Sequence, residues 1–188
     1  MIVITKEELH SLRNIIFQKI ENGAIFIHPT DTIYGIGCNA LNSNAVKRIR
    51  EIKGRHITPF SVIAPSKEWI FENCRITDET REWIAMLPGP YTLVLNKKDT
   101  TIAEEVTPGI DTIGVRIPDH WFSEVVNKFG FPIVTTSANL VHENFMTSLD
   151  NLDIRIKSHV DFIIYEGVKE GRPSRIIHLG DEMRIIER

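Results

Sequence analysis

Four short polar clusters are the places where this sequence could do chemistry: Thr30-Asp31-Thr32-Ile33-Tyr34-Gly35, Lys53-Gly54-Arg55, Thr112 to Pro118, and Thr135-Thr136-Ser137-Ala138-Asn139. Their residue types suit anions, because arginine and lysine supply charge and hydroxyl and amide groups supply oriented donors for carboxylate or phosphate oxygens. Arg116 sits between Val115 and Ile117 in an apolar run. There its guanidinium must meet a carboxylate or a phosphate, and an internal salt bridge or a ligand would each satisfy it. Lys53 and Arg55 follow a helical pattern, where they either complement the helix dipole or hold phosphate. Asp31 and Thr32 read as turn residues or as ligand contacts, and Ser137 to Asn139 as a turn or a phosphate cradle.

The elements that must position these clusters alternate between helix and strand. Thr5 with Glu8 forms a capping-box pattern, and Leu9, Leu12, Ile16 and Ile20 recur at helical spacing up to Asn22-Gly23, which predicts one helix. Ala24 to His28 is an apolar run that predicts a buried strand, and the stretch from Pro29 to Ala40 reads as a loop or a bent strand at a sheet edge. A second helix covers about Asn42 to Lys53. Further strands are expected at Phe60 to Ala64, Tyr91 to Leu95, Ile113 to Ile117, Ile133 to Thr136, Phe162 to Tyr165, Ser174 to Leu179 and near Arg184 to Ile186. Helices are expected at Lys67 to Asn73, Asp78 to Met86 and His120 to Phe129, the last capped by Asp119. The pattern predicts an α/β class with a twisted mixed sheet flanked by helices. In such sheets ligands bind at strand ends, where the four clusters fall. The connection from Lys97 to Thr112 is long for a compact domain and is a candidate lid.

The chain has 188 residues, 42% of them hydrophobic and 25% charged, the size and composition of a single globular domain spanning residues 1–188. A net charge of −3 argues against a protein whose main work is coating nucleic acid. No run of about 18 apolar residues occurs, and the N-terminus lacks an export pattern, so a cytoplasmic protein with no membrane association is expected. Cys38 and Cys74 are too few for a disulfide framework. Phosphate-loop, dinucleotide, zinc-protease and nucleophile-elbow motifs are absent, and the 7 histidines show no ligand spacing. A metal caged by protein side chains alone is not expected.

In this order the clusters resemble the YrdC/Sua5 family of threonylcarbamoyl-AMP synthases. The family's PTDT-x-YGLG stretch matches Pro29 to Gly37, its KxR matches Lys53 and Arg55, and its PGPxTLVL matches Pro88 to Leu95. Its TxGVRxP matches Thr112 to Pro118, its SxN matches Ser137 and Asn139, and its closing P-S-T-I-I-D-L matches Pro173 to Leu179. The similarity covers nearly the whole chain, from about Ala24 to Leu179, in the short, single-domain form.

The resemblance implies a YrdC-like fold with a concave cavity, and a nucleotidyltransferase that makes L-threonylcarbamoyladenylate and pyrophosphate from L-threonine, bicarbonate and ATP. The product would pass to a tRNA threonylcarbamoyl transferase complex acting on adenosine 37 of tRNA; the resemblance leaves direct tRNA contact open. It further implies catalytic roles for Lys53, Arg55, Ser137 and Asn139, ATP contacts at Arg55, Thr58, Thr112, Ser137 and Asn139, and threonine contacts at Thr32, Arg116, Thr135 and Ser174. Mg²⁺ would arrive on the ATP phosphates. The chain departs from the family pattern at Thr58 and Phe60, at Arg175, and through Leu140 to Phe145. The alternatives are a double-stranded RNA-binding protein or a non-synthase paralogue of the same superfamily.

Overall fold

The capping box forms as the sequence requires: Thr5 Oγ1 accepts from the Glu8 amide at 3.2 Å while Glu8 Oε2 accepts from the Thr5 amide at 2.8 Å. The computed structural model describes residues 2–98, 102–179 and 183–187. The first helix is two helices, α1 (Lys6–Ser11) and α2 (Arg13–Glu21), separated at Leu12. The break seats Leu9, Ile16 and Ile20 on the core and leaves Leu12 at the surface, so strict helical periodicity overestimated the length of one straight helix. A strand not expected from sequence, β1 (Ile2–Ile4), precedes them.

Next come β2 (Phe26–His28), β3 (Gly35–Gly37), α3 (Ser43–Lys53), β4 (Ser61–Ile63), α4 (Lys67–Asn73), α5 (Asp78–Ala85) and β5 (Tyr91–Asn96). The chain continues through β6 (Thr112–Arg116), α6 (Trp121–Phe129), β7 (Ile133–Ser137), α7 (Ile154–Lys157), β8 (Phe162–Ile164), β9 (Arg175–Leu179) and β10 (Met183–Ile186). The strands form one mixed sheet in the order β1-β8-β2-β3-β7-β4-β6-β5-β9-β10. Two expectations need correction here. The segment after Pro29 does not lie at a sheet edge: β3 pairs antiparallel with both β2 and β7, inside the sheet. The cap of α6 is His120, whose Nδ1 accepts from the Phe122 amide at 3.2 Å, while the Asp119 amide donates to Asp31.

Strand alternation sorts the side chains onto two faces. One face carries Ile36, Val62, Leu93, Val115, Val134 and Ile177 into a core closed by Val46 and Ile49 of α3, Ile70 of α4, Ile84 of α5 and Ile156 of α7. The opposite face is covered over only part of its width, where Phe26, Ile63, Ile133 and Phe162 pack under Leu9, Ile16, Ile20, Phe122 and Val126. Elsewhere on that face the row His178, Val94, Gly114, Ser61 and Thr135 runs across five strands in direct register. Small and polar residues here leave a hollow. A Cβ at Gly114 would fall 2.6 Å from Ser61 Oγ, so the floor is as close-packed as its strands permit.

The connection from Lys97 to Thr112 is partly fastened. A 3₁₀ turn at Glu104–Val106 buries Val106, whose carbonyl accepts from the Phe60 amide at 2.9 Å, and the Ala103 amide bonds Ala40. Any lid movement would therefore be confined to the rest of the segment, of which Asp99 to Thr101 lie outside the described residues.

Candidate active site

The hollow is a cavity of about 590 Å³ lined by residues from all four sequence clusters. It has two chemically different ends.

At one end Arg116, the last residue of β6, is 5% exposed. Its Nη2 meets Asp31 Oδ1 at 2.5 Å, and its Nη1 donates to Thr32 Oγ1 at 3.4 Å. Asp31 is itself oriented by the Asp119 amide, 3.0 Å from Oδ2. The buried arginine thus has an internal carboxylate and also faces the cavity. The turn that presents Thr32 closes on Thr30, whose Oγ1 accepts from the Thr32 amide at 3.2 Å and donates to the Ile33 carbonyl at 2.7 Å. Ser174 and Thr92 share a hydroxyl hydrogen bond of 2.8 Å on the adjacent wall.

At the other end α3 stops at Gly54, which is left-handed at φ 60° and turns Arg55 toward the cavity. The Arg55 guanidinium donates to the Pro59 carbonyl at 2.6 Å and lies over the Phe60 ring, 5.1 Å from its centroid. Thr58, Thr112, Thr135, Ser137 and Asn139 line the same cavity. Ser137 Oγ donates to Asn139 Oδ1 at 2.5 Å, and Asn139 Nδ2 donates to the Glu143 carbonyl at 2.7 Å.

Lys53 stands apart from the other expected site residues. It is 3% exposed and is not among the residues lining the cavity. Its Nζ reaches the carbonyls of Ser137 at 2.6 Å and Asn139 at 2.5 Å from behind, with Asn139 Oδ1 at 3.4 Å. Burial, reinforced by the nearby Arg55 charge, brings its pKa down to about 7. Two short contacts match the two hydrogens of a neutral amine as well as they match an ammonium, so the buttress survives loss of the proton. In this arrangement Lys53 supports the Ser137 to Asn139 loop through its two carbonyls.

Sequence reasoning missed Arg50. Its guanidinium donates to the carbonyls of Glu105 (2.6 Å), Arg55 (2.8 Å), His56 (3.1 Å), Thr58 (3.1 Å) and Val106 (3.4 Å), and it lies over Phe60 at 4.5 Å. It therefore shapes the loop that carries Arg55 and Thr58. Its place in a helix beside Lys47 and Arg48 gave no signal, since spacing does not distinguish a buried arginine from a solvated one. Ile176 and His178 of β9 were also missed as wall residues, although they alternate with Ser174, the residue just before that strand, and all three line the cavity.

The lining includes two arginines and no aspartate or glutamate. Among the described residues no group of three or more His, Cys, Asp or Glu stands together as a metal cage. The cavity can therefore take an extended anion with a carboxylate near Arg116 and phosphates near Arg55, Ser137 and Asn139.

A model of the Sua5/YciO/YrdC family, described as "Telomere recombination", matches residues 18–188. The chain belongs to the Sua5/YciO/YrdC family. A Methanocaldococcus jannaschii member is 34% identical over 95% of this chain and 86% of its own length. The threonylcarbamoyl-AMP synthase of Pyrococcus abyssi is 34% identical over 85% of this chain, which spans 48% of that protein, and that of Vibrio campbellii is 28% identical over 86% of this chain and 90% of its own. Pyrococcus abyssi Sua5 in complex with L-threonine superimposes with a TM-score of 0.83 at 32% identity, covering 95% of this chain and 54% of that one. Escherichia coli YciO, at 22% identity, has the same fold, with a TM-score of 0.85 over 98% of this chain and 93% of that one. This family member thus matches some relatives end to end and about half the length of others.

Proposed function

We propose that this protein is a threonylcarbamoyl-AMP synthase, a nucleotidyltransferase that joins L-threonine, bicarbonate and ATP into L-threonylcarbamoyladenylate with release of pyrophosphate and water. The observation that carries this reading is the polarity of one cavity, with Arg116, Thr32 and Ser174 at one end and Arg55, Ser137 and Asn139 at the other. The names of the relatives and the threonine complex of Pyrococcus abyssi Sua5 support it.

In this reading the threonine carboxylate docks on Arg116, with the hydroxyls of Thr32 and Ser174 orienting the amino acid. The threonine nitrogen attacks the bicarbonate carbon, a C–N bond forms, and a C–O bond breaks as water leaves. The resulting carbamate oxygen attacks the α-phosphorus, and the P–O bond to pyrophosphate breaks. Arg55, Ser137 and Asn139 face the phosphates and stabilise the charge that develops on the leaving group, while Thr58, Thr112 and Thr135 contact the nucleotide side or the join between the two substrates. Mg²⁺, bound to phosphate oxygens, would neutralise part of that charge; the carboxylate-free lining fits a metal carried in by ATP. The adenylate would be handed to a transferase that modifies tRNA. No helix among the described residues is long and apolar enough to cross a membrane, and a cytoplasmic site of action fits the substrates.

The test is pyrophosphate release by the purified protein with ATP, Mg²⁺ and bicarbonate, with and without L-threonine, together with chromatography for the adenylate. Release that depends on both threonine and bicarbonate is expected. ATP binding without such release would favour the non-synthase paralogue.

A further inference from the structure

The segment between β8 and β9 runs back across the amino-acid end of the cavity as a strap. Buried Tyr34 fastens it: the Tyr34 hydroxyl donates to the Gly167 carbonyl at 2.7 Å and accepts from the Glu166 amide at 3.1 Å. The Glu166 carboxylate meets Trp121 Nε1 at 2.6 Å, His120 Nε2 at 2.8 Å and Lys169 Nζ at 2.5 Å. The Lys169 amide donates to the Thr147 carbonyl at 2.9 Å, which ties the strap to the segment that follows β7.

At Gly171 the strap lies flat on the backbone of Thr32. A Cβ at Gly171 would come within 2.9 Å of the Thr32 carbonyl carbon and 3.2 Å of its Cα, and would overlap the carbonyl oxygen. All three obstacles are backbone atoms, so no side chain can swing aside. Beyond the strap is a second cavity, also of about 590 Å³, and Thr32 and Pro173 line both. Thr32 and the strap are therefore the shared wall between the amino-acid end and the outside. Thr32 Oγ1 hydrogen-bonds with Thr30 Oγ1 at 3.0 Å and accepts from Arg116, so a shift of the Thr32 main chain moves the hydroxyl and the guanidinium together.

We propose that Gly171 is a positioning residue for the amino acid: the absence of a side chain there lets the strap set where Thr32 stands, and so fixes the width and specificity of the threonine end. This rests on the synthase reading. A methyl at residue 171 must push the strap outward or Thr32 into the cavity, and misplacing a substrate-positioning group by about 1 Å can cost two orders of magnitude in rate.

The experiment measures L-threonine and ATP binding separately by calorimetry, and the KM of each in adenylate formation, for the wild type, Gly171→Ala and Tyr34→Phe. Both variants are expected to weaken threonine by at least about fivefold while ATP stays within about twofold, the split that marks loss of one substrate's contacts. An equal loss for both substrates, or no loss for either, would overturn the inference. If Gly171→Ala does not fold, Tyr34→Phe decides, because it keeps the ring and removes only the two bonds to the strap. A wild type that binds ATP but no threonine overturns the synthase reading and this inference with it; a wild type that binds both, with no split in the variants, overturns the strap alone.

Discussion

Lys53 Nζ lies 2.6 Å from the Ser137 carbonyl oxygen, so the lysine of the first basic cluster holds the cradle in place and does not enter it. Lys53→Met would remove both short contacts; the Ser137 carbonyl keeps the Asn139 amide at 2.9 Å, while the Asn139 carbonyl loses its lysine donor, at about 1–3 kcal/mol. Turnover is expected to fall by at least about tenfold, with a rise in the KM for ATP and little change for threonine. Steady-state kinetics with each substrate varied in turn checks this. Wild-type rates would remove Lys53 from the mechanism.

The ion pair between Arg116 and Asp31 is nearly sealed, with side chains 7% and 10% exposed. Deleting one partner of such a pair strands the other charge, which typically costs about 3–5 kcal/mol, whereas replacing both with apolar groups costs less. Asp31→Ala alone should therefore destabilise the fold more than Asp31→Ala combined with Arg116→Met. Denaturant unfolding of the two singles and the double decides it, and additive losses would show that the pair is not coupled. Arg116→Lys, which keeps the charge and loses the planar fork, is expected to raise the threonine KM by about tenfold or more.

Most of the architecture was legible in the sequence because the buried runs are long enough to show their period. Val46, Ile49 and Ile52 marked α3, and Ile113 to Ile117 marked β6. What escaped was decided by tertiary contact. The three-residue β1 is a strand because β8 offers it a parallel edge, and no property of Ile2 to Ile4 alone requires that. Likewise β3 is internal because Gly35 and Gly37 let β2 and β7 approach it from both sides, a pairing that local turn signals do not reveal. In the site, Arg55, Arg116 and Ser137, which their residue types singled out, line one cavity. Residue types could not tell that Lys53 points at a backbone from behind, because a lysine's reach is set by its neighbours and not by its spacing.

Arg50 illustrates the same limit and gives a further expectation. Five carbonyls converge on its guanidinium, three of them from Arg55, His56 and Thr58. Arg50→Met should lower stability by about 2–4 kcal/mol through unsatisfied acceptors. It should also weaken ATP more than threonine, since the loop bearing Arg55 and Thr58 loses its anchor. Thermal unfolding together with separate binding measurements tests both halves, and an unchanged ATP affinity would confine Arg50 to the scaffold.

His28 predicts an acid limit to stability. Its ring is fully buried, stacked on Phe122 with centroids 4.8 Å apart, and among the described residues its Nε2 has no hydrogen-bond partner. Burial, opposed by the Pro29 carbonyl and aided by the charges of Arg116 and His120, depresses its pKa from 6.5 to about 3. Between those values the unfolded chain binds a proton that the native chain refuses, so native stability falls as pH drops from 6.5 toward 3, by up to about 5 kcal/mol from this one residue. His28→Leu removes the titrating group at similar volume. Urea midpoints measured from pH 7 to pH 4 should decline steeply for the wild type and distinctly less for His28→Leu. Parallel declines would mean that His28 titrates freely, through an opening of the fold around β2 and β3 that its burial between Phe122 and the two glycines argues against.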